Sequence, residues 1–265
     1  MAQNLSALLS SLDNTKKTAV VANKYEISEL TLAQQRKMIA SIFDTIEAPA
    51  RLALSFNDII RECVRITDTA AGEITIVDRP FLLRALRDLI VGNTAIKVTK
   101  DNDGIETRTE YEFTVNDYSK FAEIKINDII TIDESTKIHL AVPTLTRDNT
   151  VNNQLLDKIN SYRKNLASEK KQIDGGQVAV FYFTYELVKY IDRIETNGSI
   201  FKFSDLLINE QLRVIDHLKT PVIEPIVEFI KQAKEGEKYA FTAVNKTTGE
   251  LENLAMEHTI FSREI

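Results

Sequence analysis

The segment Ile74–Val98, ITIVDRPFLLRALRDLIVGNTAIKV, predicts a strand, a helix and a second strand in close succession. Asp78 stands at the helix N-cap position, where a carboxylate accepts hydrogen bonds from backbone N–H groups that have no acceptor within the helix. Pro80 follows in the first turn, where a missing N–H costs nothing. The alternation in Ile74–Ile76 predicts the first strand, and Ala95–Val98 is typical of the second. We expect this unit to form part of the core.

The predicted helix has two different faces. Its apolar residues recur at helical spacing and define a core-packing face, namely Phe81, Leu82, Ala85, Leu86, Leu89 and Ile90. Arg84, Arg87 and Asp88 fall on the opposite face, which we expect to be solvated. Gly92 occupies the position where a left-handed C-cap favours glycine. The helix is therefore predicted to pack one side against the core and to expose its arginines.

Composition and charge narrow the class of protein. The 265 residues are 43% hydrophobic and 27% charged, as in soluble globular proteins. The net charge of -6 and the pI of about 5.3 argue against a protein that coats nucleic acid, because binding of the phosphates needs clustered Lys and Arg. No apolar run is long enough to cross a bilayer. Cys63 is the single cysteine, so no intramolecular disulfide can form, and a soluble intracellular protein is predicted.

The N-terminal part of the chain shows mainly helical patterns. Four leucines share one helical face and predict a short docking helix, namely Leu5, Leu8, Leu9 and Leu12. Tyr25–Ile27 predicts a short strand, and Thr31 and Gln34 have the spacing of a capping box. The next helix carries Cys63 on its apolar face, where we expect a buried and unreactive thiol.

Strand patterns dominate between the central unit and Pro143. Asn102-Asp103-Gly104 predicts a turn between strands at Ile96–Thr99 and Thr107–Val115. Further strand patterns follow at Ile124–Ile126, Ile129–Ile132 and Ile138–Val142. Because polar and apolar residues alternate, we expect a small antiparallel sheet with one apolar face.

The C-terminal half is predicted to be mainly helical. Val178–Ile194 is the most apolar segment and predicts a buried helix that Asn197-Gly198 ends. A helical pair is predicted over Ser204–Lys234. Two final strands, at Tyr239–Val244 and Leu251–Phe261, are typical of a hairpin.

These patterns predict an α+β protein, rich in helix, with a small antiparallel sheet in its N-terminal half and a C-terminal β-hairpin. Three parts are predicted along the chain. They are a docking or flexible segment at residues 1–23, a mixed helix and strand domain at 24–146, and a helical region with the hairpin at 147–265.

No residue pattern points to catalysis or to a cofactor. The three histidines are far apart and not at metal-ligand spacing, and neither GxGxxG nor GxxxxGK[ST] is present. Arg79, Arg84 and Arg87 form the one clear basic cluster, but no aromatic residues are interleaved to stack on bases. We expect these arginines to pair with carboxylates, on this chain or on a partner. The sequence therefore predicts no enzyme, no metal, no cofactor and no small-molecule substrate.

The stretch DRPFLLRALRDLIVGN at 78–93 carries a family resemblance. Together with YEISELTLAQQRKMIASIFD at 25–44, FNDIIRECV at 56–64 and AVPTL at 141–145, it resembles the baseplate protein family of T-even-type tailed phages. These motifs are structural, and no catalytic residue is carried over. The resemblance implies a hub protein or assembly factor of the contractile-tail baseplate that acts through protein–protein interaction, with other baseplate and tail proteins as partners.

The implied setting is the cytoplasm of the infected host during assembly, and the tail baseplate of the virion. Nucleic acid and membrane are not expected as partners, and assembly of several copies of the chain into an oligomer stays open. Two other classes stay open, a cellular adaptor or regulatory binding module without catalytic activity, and a carboxylate-based hydrolase. Co-purification with baseplate hub proteins would favour the first class, association with host proteins alone the second, and metal-dependent turnover the third.

The C-terminal hairpin is a candidate partner-binding surface besides the arginines. Ile260 and Phe261 lie on its final strand, which we expect to leave one sheet edge unpaired. Two interpretations of this edge stay open: Glu252, Glu257 and Glu264 act as charges that block further pairing, or a partner docks by adding a strand. If docking is its role, removal of the chain after Asn253 abolishes partner binding, while circular dichroism keeps its helical signal and unfolding stays cooperative. A truncated protein that fails to fold would show instead that the hairpin belongs to the core.

Overall fold

The computed structural model describes residues 16–36, 46–68, 72–92, 96–102, 105–114, 124–169 and 171–254. The predicted docking helix around Leu5–Leu12 and the hairpin residues Ile260 and Phe261 lie outside these described residues. Within the segment predicted at 1–23, the strand Thr18–Val21 is present.

The described residues form helices and antiparallel strands. The helices are α1 (Ala48–Cys63), α2 (Asp78–Val91), α3 (Leu145–Ser168), α4 (Gly175–Tyr190), α5 (Ile208–His217) and α6 (Thr220–Ala240), and residues 32–36 are also helical. The strands are β1 (Thr18–Val21), β2 (Tyr25–Ser28), β3 (Val64–Ile66), β4 (Ile96–Asn102), β5 (Ile105–Phe113), β6 (Asn127–Thr131), β7 (Thr136–Ala141), β8 (Ile191–Thr196), β9 (Ser199–Lys202), β10 (Thr242–Asn245) and β11 (Leu251–Asn253).

The protein is α+β, as the sequence predicts, and the strand order shows how its two halves are joined. In the described ranges, one sheet has the order β1-β2-β3, a second β11-β10-β5-β4 and a third β6-β7-β8-β9. The sheet predicted for the N-terminal half is in fact two sheets, each completed by C-terminal strands, because β5 pairs with β10 and β7 pairs with β8. Backbone pairing therefore crosses the boundary at residues 146–147, and the division into three parts stays a prediction.

The central unit begins differently from the prediction. Ile74–Ile76 is not a regular strand, since Thr75 makes an isolated antiparallel bridge with Thr144. The ladder cannot extend past that bridge because Pro143 has no N–H to donate. Asp78 is the first helical residue rather than the N-cap. Its carboxylate accepts hydrogen bonds from the backbone N and from Oγ1 of Thr75, each at 2.8 Å, and so closes the turn before α2.

The prediction of a solvated arginine face on α2 is wrong. The predicted apolar residues of its first two turns are buried, but Arg84 and Arg87 are also only 1% and 3% exposed. Phe113 of β5 lies against both guanidinium groups, whose carbon atoms are 4.0 and 4.5 Å from its ring centroid. Because β5 covers this side of α2, the periodicity of the helix alone could not reveal its burial.

Arg84 connects α2 to two neighbouring elements by directed hydrogen bonds. Its Nε donates to the carboxylate of Asp88 at 2.9 Å. One terminal nitrogen donates to the carbonyl of Ala240 at the end of α6, and the other to the carbonyl of Thr114 just after β5, at 3.0 and 3.1 Å. Because a planar guanidinium presents its donors in fixed directions, Arg84 sets the position of α2 relative to both elements.

The apolar segment Val178–Ile194 is shared between a helix and a strand. α4 ends at Tyr190 and β8 begins at Ile191, so the prediction of one buried helix is wrong over its last turn. It is also wrong along one side of α4, where Val180 and Phe183 are 54% and 50% exposed. Asn197 and Gly198 form the turn between β8 and β9, with φ angles of 50° and 76° that suit a two-residue Asn-Gly hairpin. Periodicity cannot separate helix from strand within a continuous apolar run.

The C-terminal hairpin is present with different bounds. Tyr239 belongs to α6, so the first strand begins at Thr242 rather than at the predicted residue. Strand β10 pairs with β11 on one side and with β5 on the other. The hairpin is therefore one half of a four-stranded sheet.

Two local predictions are confirmed. The backbone N of Thr31 donates to Oε1 of Gln34 at 2.7 Å, and the backbone N of Gln34 donates to Oγ1 of Thr31 at 3.3 Å, which is the predicted capping box. Cys63 is buried on α1, and burial together with the charge of Glu62 raises the pKa of its thiol to about 11. A thiol with a raised pKa is a poor nucleophile at neutral pH.

Loss of the Arg84 side chain is expected to be costly, because it removes a buried cation that pairs with Asp88 and bonds two backbone carbonyls. Arg84→Ala should lower the free energy of unfolding by about 3–5 kcal/mol, measured by urea denaturation. Arg65→Ala, at an exposed position of β3, is the control and should cost less than about 0.5 kcal/mol. Equal losses in the two variants would contradict the assigned role of Arg84.

Candidate functional site

A buried carboxylate joins four helices. Asp148 of α3 is 2% exposed, and its Oδ1 lies 2.9 Å from Nζ of Lys189 on α4. Its Oδ2 lies 3.0 Å from a terminal nitrogen of Arg79 on α2. The same oxygen accepts a hydrogen bond from Nδ2 of Asn57 on α1 at 2.7 Å. Helices α1 to α4 therefore meet around one negative charge, and we call these four residues with Glu186 the Asp148 network.

Glu186 extends the Asp148 network towards the surface. Nζ of Lys189 lies 3.0 Å from Oε2 of Glu186, and Nζ of Lys234 on α6 lies 2.7 Å from Oε1. Glu186 and Lys189 are three residues apart on α4 and so share a face. Since the Lys234 side chain is half exposed, the series of charges runs from the interior to solvent at α6.

The electrostatics of the network keep its members charged. Burial would raise the pKa of Asp148, but the cations of Lys189 and Arg79 outweigh it and hold that pKa well below its usual range. Burial also disfavours the charged forms of Glu186 and Lys189. Neighbouring groups of opposite charge outweigh it, so the pKa of Glu186 is lowered and the pKa of Lys189 is raised. None of these three groups is therefore poised to exchange a proton near pH 7.

A cleft of about 530 Å³ adjoins the network between α1, α4 and α6. Its walls are mainly apolar and include Ala53 of α1, Phe183 of α4 and Ile230 of α6. Arg79 and Lys189 contribute to its polar floor. Apolar walls with a few fixed polar groups are typical of binding pockets.

Two polar atoms in residues that line this cleft lack a hydrogen-bond partner among the described residues. They are Nε of Arg79 and Nδ2 of Asn152. Asn152 is 2% exposed and lies one turn after Asp148 on α3, so the two side chains share a face. An unpaired buried donor costs about 1–3 kcal/mol. Both atoms are also closed to solvent, so they are unsatisfied donors of the interior rather than groups exposed in the cleft.

The structure separates the three arginines that the sequence predicts as one basic cluster. Arg79 joins the Asp148 network, whereas Arg84 and Arg87 are buried against β5. All three pair with groups of this chain. Ile260 and Phe261 lie outside the described residues, so partner binding by these five residues stays a prediction.

Sequence spacing does not reveal the residues that meet at the cleft. Asn57 and Asp148 are 91 residues apart, and nothing in their local patterns connects them. One signal is present in the apolar segment that forms α4, which Glu186 and Lys189 interrupt. Charged residues inside a buried run are seldom tolerated unless they are paired, and here they pair with each other.

A second surface feature is the edge strand β9. It forms one edge of the third sheet, and its four residues are all exposed. Ile200 and Phe201 are 66% and 48% exposed. Phe201 pairs in register with Ile194, which in turn pairs with Ile138, so the three side chains share one face. A cleft of about 470 Å³ beside α5 is lined by Ile138 and Ile194 of that face.

No helix in the described ranges is both long enough and apolar enough to span a membrane. The side chains described also include no group of three His, Cys, Asp or Glu residues placed to hold a metal ion.

The comparison with protein families decides what kind of protein carries this arrangement. The family model described as T4 bacteriophage base plate protein matches residues 10–258. The chain belongs to this family. The resemblance predicted from the segment at 78–93 is thereby confirmed, and the protein is a bacteriophage baseplate protein. Among curated proteins and among solved structures, nothing matches this chain. The part matched to the T4 base plate family includes the Asp148 network, its cleft and β9.

The depressed pKa of Asp148 predicts how the stability of this baseplate protein depends on pH. A carboxylate whose pKa is lower in the folded chain than in the unfolded chain, where it is about 4, stabilises the fold above that value. This stabilisation is lost as the pH falls from about 4 towards the lower folded pKa. Asp148→Asn should cost about 3–5 kcal/mol at pH 7 and should weaken the loss of stability below pH 4.

Urea denaturation at a series of pH values from 3 to 7 measures both effects. Asp157→Asn is the matched control, because Asp157 is an exposed residue of the same helix. It is expected to leave the pH profile close to that of the wild type. A wild-type profile in Asp148→Asn would contradict the assigned ion pairs.

Proposed function

We propose that this baseplate protein acts in the hub of a contractile tail, as a component or an assembly factor, by binding other tail proteins rather than by catalysis. The observation that carries the proposal is the family match over residues 10–258. Family membership supports this role over that of a cellular adaptor or a hydrolase. The contact that we propose is the β9 edge, where an extended segment of another baseplate protein adds as a fifth strand.

The hairpin geometry of β8 and β9 presents backbone groups at this edge. Thr196 and Ser199 flank the two-residue turn and pair directly, so they form the hydrogen-bonded pair that closes the hairpin. Hydrogen-bonded and non-hydrogen-bonded pairs alternate along antiparallel strands. Ile200 and Lys202 therefore direct their N–H and C=O groups away from β8, towards an added strand.

The side chains of β9 define the chemistry of the partner strand. Phe201 shares a face with Ile194 and the cleft beside α5, so partner residues on this face are expected to be apolar. Ile200 lies on the opposite face, where its cross-strand neighbour is Glu195 and the next is Lys137. A segment with alternating apolar and polar residues fits both faces, and main-chain hydrogen bonds supply affinity.

This function places the protein in the cytoplasm of the infected host during assembly and in the tail baseplate afterwards. Its partners are protein chains, and it needs no nucleic acid, membrane or small-molecule substrate. Pairing of two copies through β9 would produce an oligomer. The identity of the captured chain distinguishes this outcome from binding of another tail protein.

Ile200→Pro tests the proposed contact. Proline removes the outward N–H that an added strand needs, while an edge position tolerates the substitution without loss of the β8 pairing. The tagged chain is co-expressed with the tail proteins of its own phage, and the captured proteins are quantified by mass spectrometry. Capture of a baseplate partner is expected to fall about fivefold, since the variant loses one backbone hydrogen bond of about 1 kcal/mol and tenfold corresponds to about 1.4 kcal/mol.

Three control variants separate backbone pairing from general surface effects. Ile200→Thr keeps the N–H and should retain capture, whereas Phe201→Glu places a charge on the apolar face and should reduce it. Ile129→Glu alters a similarly exposed residue on β6, the opposite edge of the same sheet, and should retain capture. Full capture by Ile200→Pro would contradict the contact. Recovery of a second copy of this chain in place of a tail protein would show an oligomer and overturn the heterologous contact.

A further inference from the structure

The third sheet has a second edge strand, β6, which lies opposite β9. We propose that the side chain of Asp128 blocks the β6 edge, so that this sheet accepts an added strand at β9 alone. The inference rests on the proposed function in one respect, namely that β9 is the edge to which a strand adds. The block itself is argued from the hydrogen bonds of β6.

The ladder between β6 and β7 decides which backbone groups of β6 point outward. At one end of the ladder, the backbone N of Ile132 donates to the carbonyl of Thr136 at 2.9 Å. At the other end, the backbone N of Val142 donates to the carbonyl of Ile126, also at 2.9 Å. Hydrogen-bonded and non-hydrogen-bonded pairs alternate along antiparallel strands. In the register between these two ends, Ile129 at the centre of β6 therefore directs its N–H and C=O groups away from β7.

The side chain of Asp128 occupies this central outward donor. Its Oδ1 accepts a hydrogen bond from the backbone N of Ile129 at 2.8 Å, and its Oδ2 lies 2.7 Å from Nζ of Lys125. The hydrogen bond from Lys125, together with the one from Ile129, lowers the pKa of Asp128. The carboxylate is therefore charged at neutral pH. A strand that added to β6 would have to break a charge-assisted hydrogen bond, which is stronger than a neutral one.

The side chains of β6 would otherwise favour pairing with another strand. Ile129 is 56% exposed and Ile132 is 39% exposed, so this edge is about as apolar as the edge at β9. Exposed apolar edges recruit other strands unless a charge or a bulge prevents it. A sheet with two open edges could pair β9 of one copy with β6 of the next. Such head-to-tail contacts generate rings or open filaments.

The β9 edge has no comparable block. Among the described residues, no side-chain acceptor binds the outward N–H of Ile200 or of Lys202. The two edges of the sheet therefore differ in the state of their outward backbone donors. Because the blocking carboxylate comes from the residue next to Ile129, the block needs no other protein and is a property of the isolated chain. One partner strand per chain follows from this asymmetry.

Sedimentation velocity of the full chain over a range of concentrations tests the inference. Asp128→Ala frees the N–H of Ile129 and should make the chain associate into oligomers. The concentration at which half of the chains are associated should fall at least about tenfold relative to the wild type, because one charge-assisted hydrogen bond no longer opposes pairing. Asp128→Thr should have the same effect, and it keeps the test decisive if Asp128→Ala fails to fold.

Two matched variants identify the cause of the association. Glu134→Ala removes the same charge from the exposed loop after β6 and should behave as the wild type. Asp128→Ala combined with Ile200→Pro should also return to wild-type sedimentation, because its β9 edge can no longer add to β6. In this double variant the Ile129 amide is unpaired, so its hydrogen exchange, followed by NMR, should be about tenfold faster than in Ile200→Pro alone.

Three results would overturn the inference. They are an Ile129 amide that exchanges equally fast with and without Asp128, association of both Asp128 variants no stronger than that of Glu134→Ala, and association of the double variant as strong as that of Asp128→Ala. All of these measurements use this chain alone, whereas the contact at β9 is tested by capture of another tail protein. Failure of the block at β6 is therefore distinguishable from failure of the proposed function.

Discussion

The charge of Asp148 is the interaction on which the arrangement of the helices depends. A carboxylate that is 2% exposed is stable as an anion only if cations and donors surround it, and here Lys189, Arg79 and Asn57 do so. Each partner comes from a different helix, so satisfying one charge fixes α1, α2 and α4 around α3. Removal of any partner leaves the others with a desolvated group that is incompletely compensated. The network thus specifies one packing of the helices.

Arg84 has a comparable role between α2 and the sheet that contains β5. Its guanidinium bonds the carbonyl groups of Ala240 and Thr114, which come from the C-terminal and N-terminal halves of the chain. Strand pairing reinforces this connection, because β5 and β10 lie side by side. The two halves are consequently held together by backbone ladders, by the guanidinium of Arg84 and by the bonds of Asn57 and Arg79 to Asp148, in addition to apolar packing.

The β9 edge and the cleft differ in the groups that they present. The β9 edge offers backbone hydrogen-bonding groups along one line, and the side chains on its two faces differ in polarity. The cleft has mainly apolar walls, and residues of the Asp148 network line it. The ion pairs that stabilise the fold therefore also fix the charged side chains of the cleft.

The sequence by itself determined the elements whose causes are local. The capping box of Thr31 and Gln34 and the burial of Cys63 on α1 follow from residues a few positions apart. The resemblance to the family was also carried by contiguous motifs, above all by the segment at 78–93. Phe81 and Leu86 of that segment are buried as their helical spacing predicts.

Only the tertiary structure decided the burial of Arg84 and Arg87, the split of Val178–Ile194 into helix and strand, and the whole of the cleft. In each case the deciding partner is distant in sequence. Phe113 of β5 packs against the two arginines. Ile191 belongs to β8 because it pairs with β7. Asp148 accepts a hydrogen bond from Asn57, which is 91 residues away in sequence. Periodicity indicates which side of a helix or strand is apolar, but not which distant charge or strand packs against it. Those contacts form only when the chain folds, because each polar group that is removed from water then needs a hydrogen-bond or ion-pair partner.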